Sequence, residues 1–459
     1  MTIEKPSNNL LKLFLGESAD DEGNAQSVRA AVGDRFLYCE AYGWMTWTGT
    51  HWSTDEAEAA LDRAIVATLK QRRTAAVDAD KEAVVRCSIP STKRVRDAKA
   101  LFRSIVGASV ATFDAAPDAL NVKNGVLNLR TGELAEHNPV QRFTYAVPIE
   151  YDPKADQGDW RAFLAEAVGQ VPDLLNYLQR AVGYSLTGHT SEECLWYIYG
   201  PPRSGKGAFT ETLLALLPHP LGVEVDFATF TAKREGDTQN FDLAPLRPAR
   251  LIIASESNSY SALNTAKIKQ LTGGNYVWCS FKHRSHFSYR PQYKTWLVSN
   301  EPLNADVDDD ATWYRAKVVE FPNGHEGSED KGMKARMRRP EALRGVLAWA
   351  VEGAMAWFKS PNGLQHPEKV RKYTQEHRDA RDMVQAWIDE CCDEKPGDWT
   401  AYDKLYPAYL YWCKENGVKP KELRGLTRSL KAKGYPVGEP RTIGGKTYKG
   451  VMNLEPKAV

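Results

Sequence analysis

Seven cysteines are spread over 459 residues (Cys39, Cys87, Cys194, Cys279, Cys391, Cys392, Cys413), with no C-x-x-C pair and no histidine at zinc-site spacing. That scarcity excludes a zinc module and the disulfide framework of a small secreted scaffold. The odd count predicts reduced thiols in a cytosolic compartment, with the vicinal Cys391-Cys392 pair filling a helix face rather than acting as a redox switch. No apolar run approaches the roughly 20 residues that a membrane-spanning helix needs. Met1 to Asn9 lacks the basic-then-apolar order of a secretion signal, so a soluble cytoplasmic protein without a membrane partner is expected. Net charge is also nearly absent, at +1. A uniformly basic nucleic-acid binder is thereby excluded, and any such contact has to come from local patches. Internal repeats and low-complexity tracts are missing too, which excludes a solenoid or a disordered array.

What is present is an ordinary globular composition, 42% hydrophobic and 26% charged, in a length that predicts about three domains. The most informative stretch is Gly200-Pro201-Pro202-Arg203-Ser204-Gly205-Lys206-Gly207. Before it, Leu195 to Tyr199 reads as a buried strand; after it, Ala208 to Leu217 carries Phe209, Leu213, Leu214, Leu216 and Leu217, which suits a helix packed on a sheet. Strand, glycine-bounded loop, lysine and helix make the order a P-loop requires. The N–H groups that the loop and the helix N-terminus offer between Gly200 and Ala208 would face the phosphates of a nucleotide, and Lys206 would reach its β and γ oxygens. The position after Lys206, ordinarily a Ser or Thr that contacts magnesium, is Gly207. A glycine-rich turn without a ligand is the plain alternative.

The expected class is α/β: a P-loop core between an α+β N-terminal domain and a C-terminal winged-helix-like domain. Residues 1–30 are polar and read as a flexible terminus. Residues 31–150 form the N-terminal α+β domain. There the aromatics Phe36, Tyr38, Tyr42, Trp44, Trp47 and Trp52 suggest short strands with core packing ahead of base stacking, and helices are expected over 57–74 and 92–106. Asn124-Gly125 and Thr131-Gly132 mark turns of a β-hairpin. Residues 151–190 read as a linker and helical collar, 191–325 as the nucleotide-binding core, and 326–380 as a helical extension. In 381–459, helices around 384–392, 402–416 and 421–433 precede a hairpin with a Gly444-Gly445 turn, the pattern of a winged helix.

A P-loop site needs an acidic residue at the end of a neighbouring buried strand. Arg250-Leu251-Ile252-Ile253-Ala254-Ser255-Glu256 supplies one, making Glu256 the candidate for magnesium, directly or through water. The strand from Lys294 ends at Asn300, which can hydrogen-bond a γ-phosphate or simply cap a turn. Arg315 follows Asp308-Asp309-Asp310 and can project into a neighbouring subunit's site, or form a surface salt bridge to that acidic cluster.

The order of the loop, Ser255-Glu256, Lys269-Gln270-Leu271-Thr272-Gly273-Gly274, Ser299-Asn300 and Trp313-Tyr314-Arg315 resembles superfamily 3 helicases. More narrowly, it resembles the phage and plasmid primase-helicase family that includes the poxvirus helicase-primase. The Asn124–Leu129 region and the tail, with Tyr411-Trp412-Cys413 and Lys446-Thr447-Tyr448-Lys449-Gly450, extend the similarity over about residues 34–455. The resemblance implies Lys206 as the phosphate-binding lysine, Glu256 as the Walker B carboxylate, Asn300 as sensor 1 and Arg315 as an arginine finger acting in trans. It also implies an AAA+ core, ATP and magnesium as cofactors, and a ring, usually a hexamer, around DNA. Three departures from the family stand out: Gly207 and Ala208 lack a hydroxyl, Asn275 replaces an Asp, and a single arginine follows Trp313.

Two segments are candidates for DNA. Between Tyr276 and Tyr293, Lys282, His283 and Arg284 sit at the expected tip of a hairpin, matching the one that lines the channel of superfamily 3 rings and tracks a single strand, with Lys269 nearby. The tail from Lys414 to Gly450 holds ten basic and three acidic residues. Arg424, Arg428 and Lys431 fall on one helix face and Lys446 lies in the hairpin, as duplex binding would have them. Either charge run, taken alone, also fits a solvated face. With little chain before Asp34 and no acidic constellation of a primase site, a separate primase is expected. The leading expectation is an ATP-dependent DNA helicase for replication of a phage or plasmid-like element. The alternatives are a DNA-binding interaction protein with a degenerate nucleotide site and a small-molecule P-loop kinase.

Overall fold

The computed structural model describes residues 7–231, 241–256, 262–279, 286–324, 330 and 332–457. Its centre is a five-stranded parallel sheet, whose strands we number in chain order: β1 (Leu195–Tyr199), β2 (Gly222–Glu224), β3 (Leu251–Ser255), β4 (Lys294–Ser299) and β5 (Ala316–Glu320). Their spatial order is β5-β1-β4-β3-β2. A parallel sheet covered on both faces buries its central strands, which is why β1 is an unbroken apolar and aromatic run; β4 is buried along its whole length, with Trp296, Leu297 and Val298 between polar residues at its ends. Trp196 and Trp296 stack across β1 and β4 with ring centroids 4.5 Å apart. Their indole N–H groups donate to the Tyr177 hydroxyl and the Ser185 hydroxyl, so neither nitrogen is buried unpaired.

One face of the sheet packs against the helices Gly158–Val168, Pro172–Leu186, Lys206–Leu216 and Pro340–Lys359. The hairpin of Ala119–Val122 and Gly125–Asn128 shares that core. The turn of the hairpin is Lys123-Asn124, with Gly125 already in the second strand. The other face packs against the meander of Phe36–Cys39, Gly43–Trp47 and Trp52–Ser53. The expected boundary at residue 150 therefore runs through shared cores. Buried Arg247 fastens this joint by donating to the Tyr42 hydroxyl at 2.9 Å and the Phe113 carbonyl at 2.6 Å.

The N-terminus is not the loose segment its polarity suggests. Helices Asn8–Gly16 and Asp21–Val32 are capped by Ser7 and Asp20 and bury Phe14, Ala25, Val28 and Val32. Arg72, with no exposed surface, donates to the carbonyls of Phe14, Glu17 and Ser18 and to the Asn24 side chain. A single buried guanidinium thus satisfies the end of one helix and the turn into the next, work that apolar periodicity does not reveal.

Residues 383–456 have their own core around Trp387, Leu405, Tyr409, Leu426 and Val451. Helix Met383–Cys391, strand Cys392–Ala401, helices Tyr402–Glu415 and Leu423–Ala432, and strands Val437–Ile443 and Lys446–Pro456 follow in order. The first strand was not expected, because Pro396-Gly397 and four charged residues break its alternation; it lies at the edge of its sheet and is bulged there. Gly444 and Gly445, with φ of +56° and +78°, form the two-residue turn as expected. Among the described residues no helix is long and apolar enough to cross a membrane.

Helix Glu368–Asp379 brings His377 under the turn that follows β4, where its Nδ1 accepts the Leu303 N–H at 3.0 Å. Burial lowers the pKa of His377 to about 4, so the ring is neutral in the fold. A histidine that titrates near 6.5 when unfolded and near 4 when folded contributes stability that is complete above pH 6.5 and is lost as pH falls toward 4. Between pH 7 and pH 5 this amounts to about 2 kcal/mol. Urea unfolding at the two pH values should show that loss, and His377→Asn should flatten it by about the same amount.

Candidate functional site

The site forms where β1 gives way to the loop. Gly200 has φ +154°, and a Cβ there would lie 2.1 Å from the Phe321 carbonyl oxygen, so only glycine lets the chain leave the sheet beside β5. Gly205, with φ +90°, precedes the helix Lys206–Leu216 and offers no side-chain cap. The N–H groups of Lys206, Gly207 and Ala208 consequently have no partner within their own helix, and they carry its positive dipole end. The loop from Pro202 through Ala208 lines a cleft of about 780 Å3.

Lys206 is buried, and its Nζ donates to the carbonyls of Gly200 and Pro201, each at 2.7 Å, and to the Ser204 hydroxyl at 3.2 Å. Burial lowers its pKa to about 8. Across the cleft stands Asn300, the residue after β4. Phe163 and Ala167, from helix Gly158–Val168, and Met333 give the cleft an apolar side. Uncapped N–H groups, a buried lysine, an amide and an apolar wall suit an anion joined to a flat apolar group.

Glu256 lies elsewhere. Its N–H extends the β3–β4 ladder to the Val298 carbonyl at 2.8 Å, and residues along a strand alternate between faces. Leu251 and Ile253 face the loop helix, whereas Ile252, Ala254 and Glu256 face the other side. There the Glu256 carboxylate accepts from the Ser299 hydroxyl and lines a separate small cavity with Tyr197, Phe227 and Asn304. The expected pairing of Glu256 with Lys206 in one cleft is therefore not what the fold presents.

Arg315 ends the helix Asp310–Arg315, at the start of β5. Phe321, beside Gly200, is six residues further along an extended strand, so Arg315 is about 20 Å from the loop of its own chain. Its Nη2 donates to Glu193 Oε2 at 2.7 Å, not to the Asp308–Asp310 cluster, and its Nε is buried without a hydrogen-bond partner among the described residues. The adjoining Tyr314 is 72% exposed.

Of the other expected residues, Lys269 is exposed on helix Thr265–Thr272. Lys282, His283 and Arg284 lie outside the described residues, though the strands before and after them, Val277–Cys279 and Phe287–Tyr289, pair antiparallel as a hairpin requires. Arg424, Arg428 and Lys431 are exposed on helix Leu423–Ala432, opposite its buried Leu426 and Leu430, and Lys446 is exposed at the start of the last strand. Sequence reasoning missed Phe163, Met333 and Lys334 as cleft residues. Their spacing from Lys206 carries no signal; only the packing of their helices on the loop helix brings them there.

Three family models match the chain: D5 N terminal like over residues 25–169, a family of unknown function over 198–315, and Poxvirus D5 protein-like over 380–434. A protein of Acanthamoeba polyphaga mimivirus named as a helicase, L207/L206, is 24% identical over 292 residues, 59% of this chain and 30% of its own length. The C962R protein of African swine fever virus (isolate Tick/Malawi/Lil 20-1/1983), named as a primase, is 23% identical over 352 residues, 70% of this chain and 36% of its own. The chain thus spans about a third of the length of these curated relatives. The apo structure of the NrS-1 C-terminal region superimposes with a TM-score of 0.52 at 10% identity, covering 95% of this chain and all of that one, which shows a shared fold. D5-like regions at both ends and viral relatives named as helicases and primases place this chain in the primase-helicase family that includes the poxvirus helicase-primase.

Proposed function

We propose that this chain is an ATP-driven DNA helicase or translocase for replication of a virus, phage or plasmid-like element, acting in the cytoplasm of the host or infected cell. The observation that carries the reading is the division of parts along one sheet. Lys206 and Asn300 share a cleft above an uncapped helix N-terminus, and Arg315 waits about 20 Å away at the opposite end of β5. Such a division suits a site completed by the next subunit of a ring. The order β5-β1-β4-β3-β2, with the Asn300 strand between the loop strand and the Glu256 strand, supports an AAA+ core.

The cleft fits a nucleoside triphosphate: the space a Cβ would take at Gly200 is closed to side chains, and the free N–H groups suit phosphates. Phe163, Ala167 and Met333 offer the base an apolar wall. The position after Lys206 does not fit a magnesium ligand, since Gly207 and Ala208 carry no side-chain oxygen and Glu256 faces the other cavity. Magnesium, supplying charge neutralisation, would rest chiefly on phosphates and water. Lys206 and the amides bind and orient the phosphates, Asn300 positions the attacking water, and Arg315 of one copy neutralises charge in the cleft of another.

The helix–strand–helix–helix–strand–strand order of residues 383–456, with Arg424, Arg428, Lys431 and Lys446 exposed, supports a winged helix on duplex DNA. Single-stranded DNA would pass the paired strands Val277–Cys279 and Phe287–Tyr289, with Lys282, His283, Arg284 and Lys269 as its contacts and priming left to a separate protein. A DNA-binding protein whose nucleotide site is degenerate is the second reading, favoured by the placement of Glu256. ATP hydrolysis with and without single-stranded DNA decides between them. The motor reading expects turnover that DNA raises severalfold and added salt suppresses, whereas DNA binding without any turnover would overturn it.

A further inference from the structure

The glycine at position 207 has a neighbour that explains it. A Cβ built there would lie 3.3 Å from Lys334 Nζ and 3.8 Å from its Cε. Lys334 belongs to the short helix Met333–Met337, which packs against the loop helix, and it lines the same cleft as Lys206. Its ammonium is ion-paired with Glu211 Oε1, one turn along the loop helix from Gly207. Arg338 Nη1 stands 3.7 Å from the other oxygen of Glu211, so that single carboxylate is shared between two cations. Arg336 is held instead by Asp330. A positive charge therefore stands tightly against the place where a serine or threonine side chain would begin, beside the uncapped N-terminus of the loop helix.

We infer that Lys334 is a second phosphate-binding lysine of this cleft, taking the place of the missing hydroxyl, so that triphosphate binding depends less on a divalent cation. The inference rests on the cleft being a nucleotide site. The physical ground is charge. An ammonium within reach of the helix N-terminus neutralises phosphate oxygens directly, whereas a magnesium ion bound at Gly207 would meet the same ammonium as a like charge. Glu211 acts as its holder and competes with phosphate for it.

Equilibrium binding of a fluorescent mant-ATP probe to the full chain, with magnesium or with EDTA, tests this. Wild type should bind in EDTA within about tenfold of its affinity in magnesium. Lys334→Met should weaken binding in EDTA by about ten- to a hundredfold, as expected for the loss of a charge-assisted hydrogen bond, and weaken it less in magnesium. Lys334→Arg should restore most of it. Glu211→Gln should tighten binding in EDTA, because it frees Lys334; if the pair were only structural, both substitutions would shift binding and melting temperature in the same direction. Unchanged EDTA affinity in Lys334→Met, with binding weakened in Lys206→Ala, would overturn the role of Lys334 and leave the nucleotide site standing. Absence of mant-ATP binding by the wild type in either condition would overturn both.

Discussion

Lys206→Ala is expected to lower nucleotide affinity by about ten- to a hundredfold and turnover by about a hundred- to a thousandfold, while DNA binding persists. The first figure follows from losing charge-assisted contacts to phosphate; the second from losing a fixed positive charge where charge develops. The geometry makes the loss specific, because Nζ now bonds only the Gly200 and Pro201 carbonyls and the Ser204 hydroxyl, groups that water can satisfy in its place. The same lysine imposes a pH dependence. Its pKa is about 8 in the buried cleft, and an adjacent phosphate favours the charged form. Nucleotide binding at pH 8 should therefore take up about half a proton, and affinity should fall as pH rises above 8, approaching tenfold per unit. Calorimetry in two buffers of different ionisation enthalpy reads the uptake. Binding without proton uptake at pH 8 would mean that Lys206 does not meet the anion.

Arg315→Ala is expected to reduce turnover by about a thousandfold or more, with nucleotide affinity little changed. The split between rate and affinity is the informative part. An arginine about 20 Å from its own loop contributes nothing to binding within one chain, and a surface ion pair such as Arg315–Glu193 is worth about 1 kcal/mol at most to stability. A thousandfold effect on rate from such a residue therefore requires a second copy. Its Nε, without a hydrogen-bond partner among the described residues, and the exposed Tyr314 beside it make this end of β5 suited to a neighbour.

How much of this was legible beforehand depended on which physical signal each part left in the chain. The loop and its strand were legible because glycine is required at Gly200 and Gly205, and because the strand before the loop is an unbroken apolar and aromatic run. The tail was legible in its helices and its Gly-Gly turn, and illegible in strand Cys392–Ala401, where an edge position tolerates charge, proline and a bulge. Helices Asn8–Gly16 and Asp21–Val32 were missed because few large apolar residues mark their buried faces, and the buried arginine that anchors them lies some fifty residues further along the chain. The face on which Glu256 lies was not legible at all. Alternation along β3 gives two faces without saying which one meets the loop. Lys334, more than a hundred residues after Gly207, was visible only once the two helices were packed together.

Whether the nucleotide site is completed between subunits is decided by a mixing experiment. Lys206→Ala and Arg315→Ala proteins, each inactive alone, are combined in equal amounts, allowed to assemble on DNA, and assayed for ATP hydrolysis. With random assembly, about a quarter of the interfaces join an intact Lys206 cleft to an intact Arg315, so about a quarter of wild-type turnover is expected to return. A mixture no more active than its separate parts would contradict the shared site.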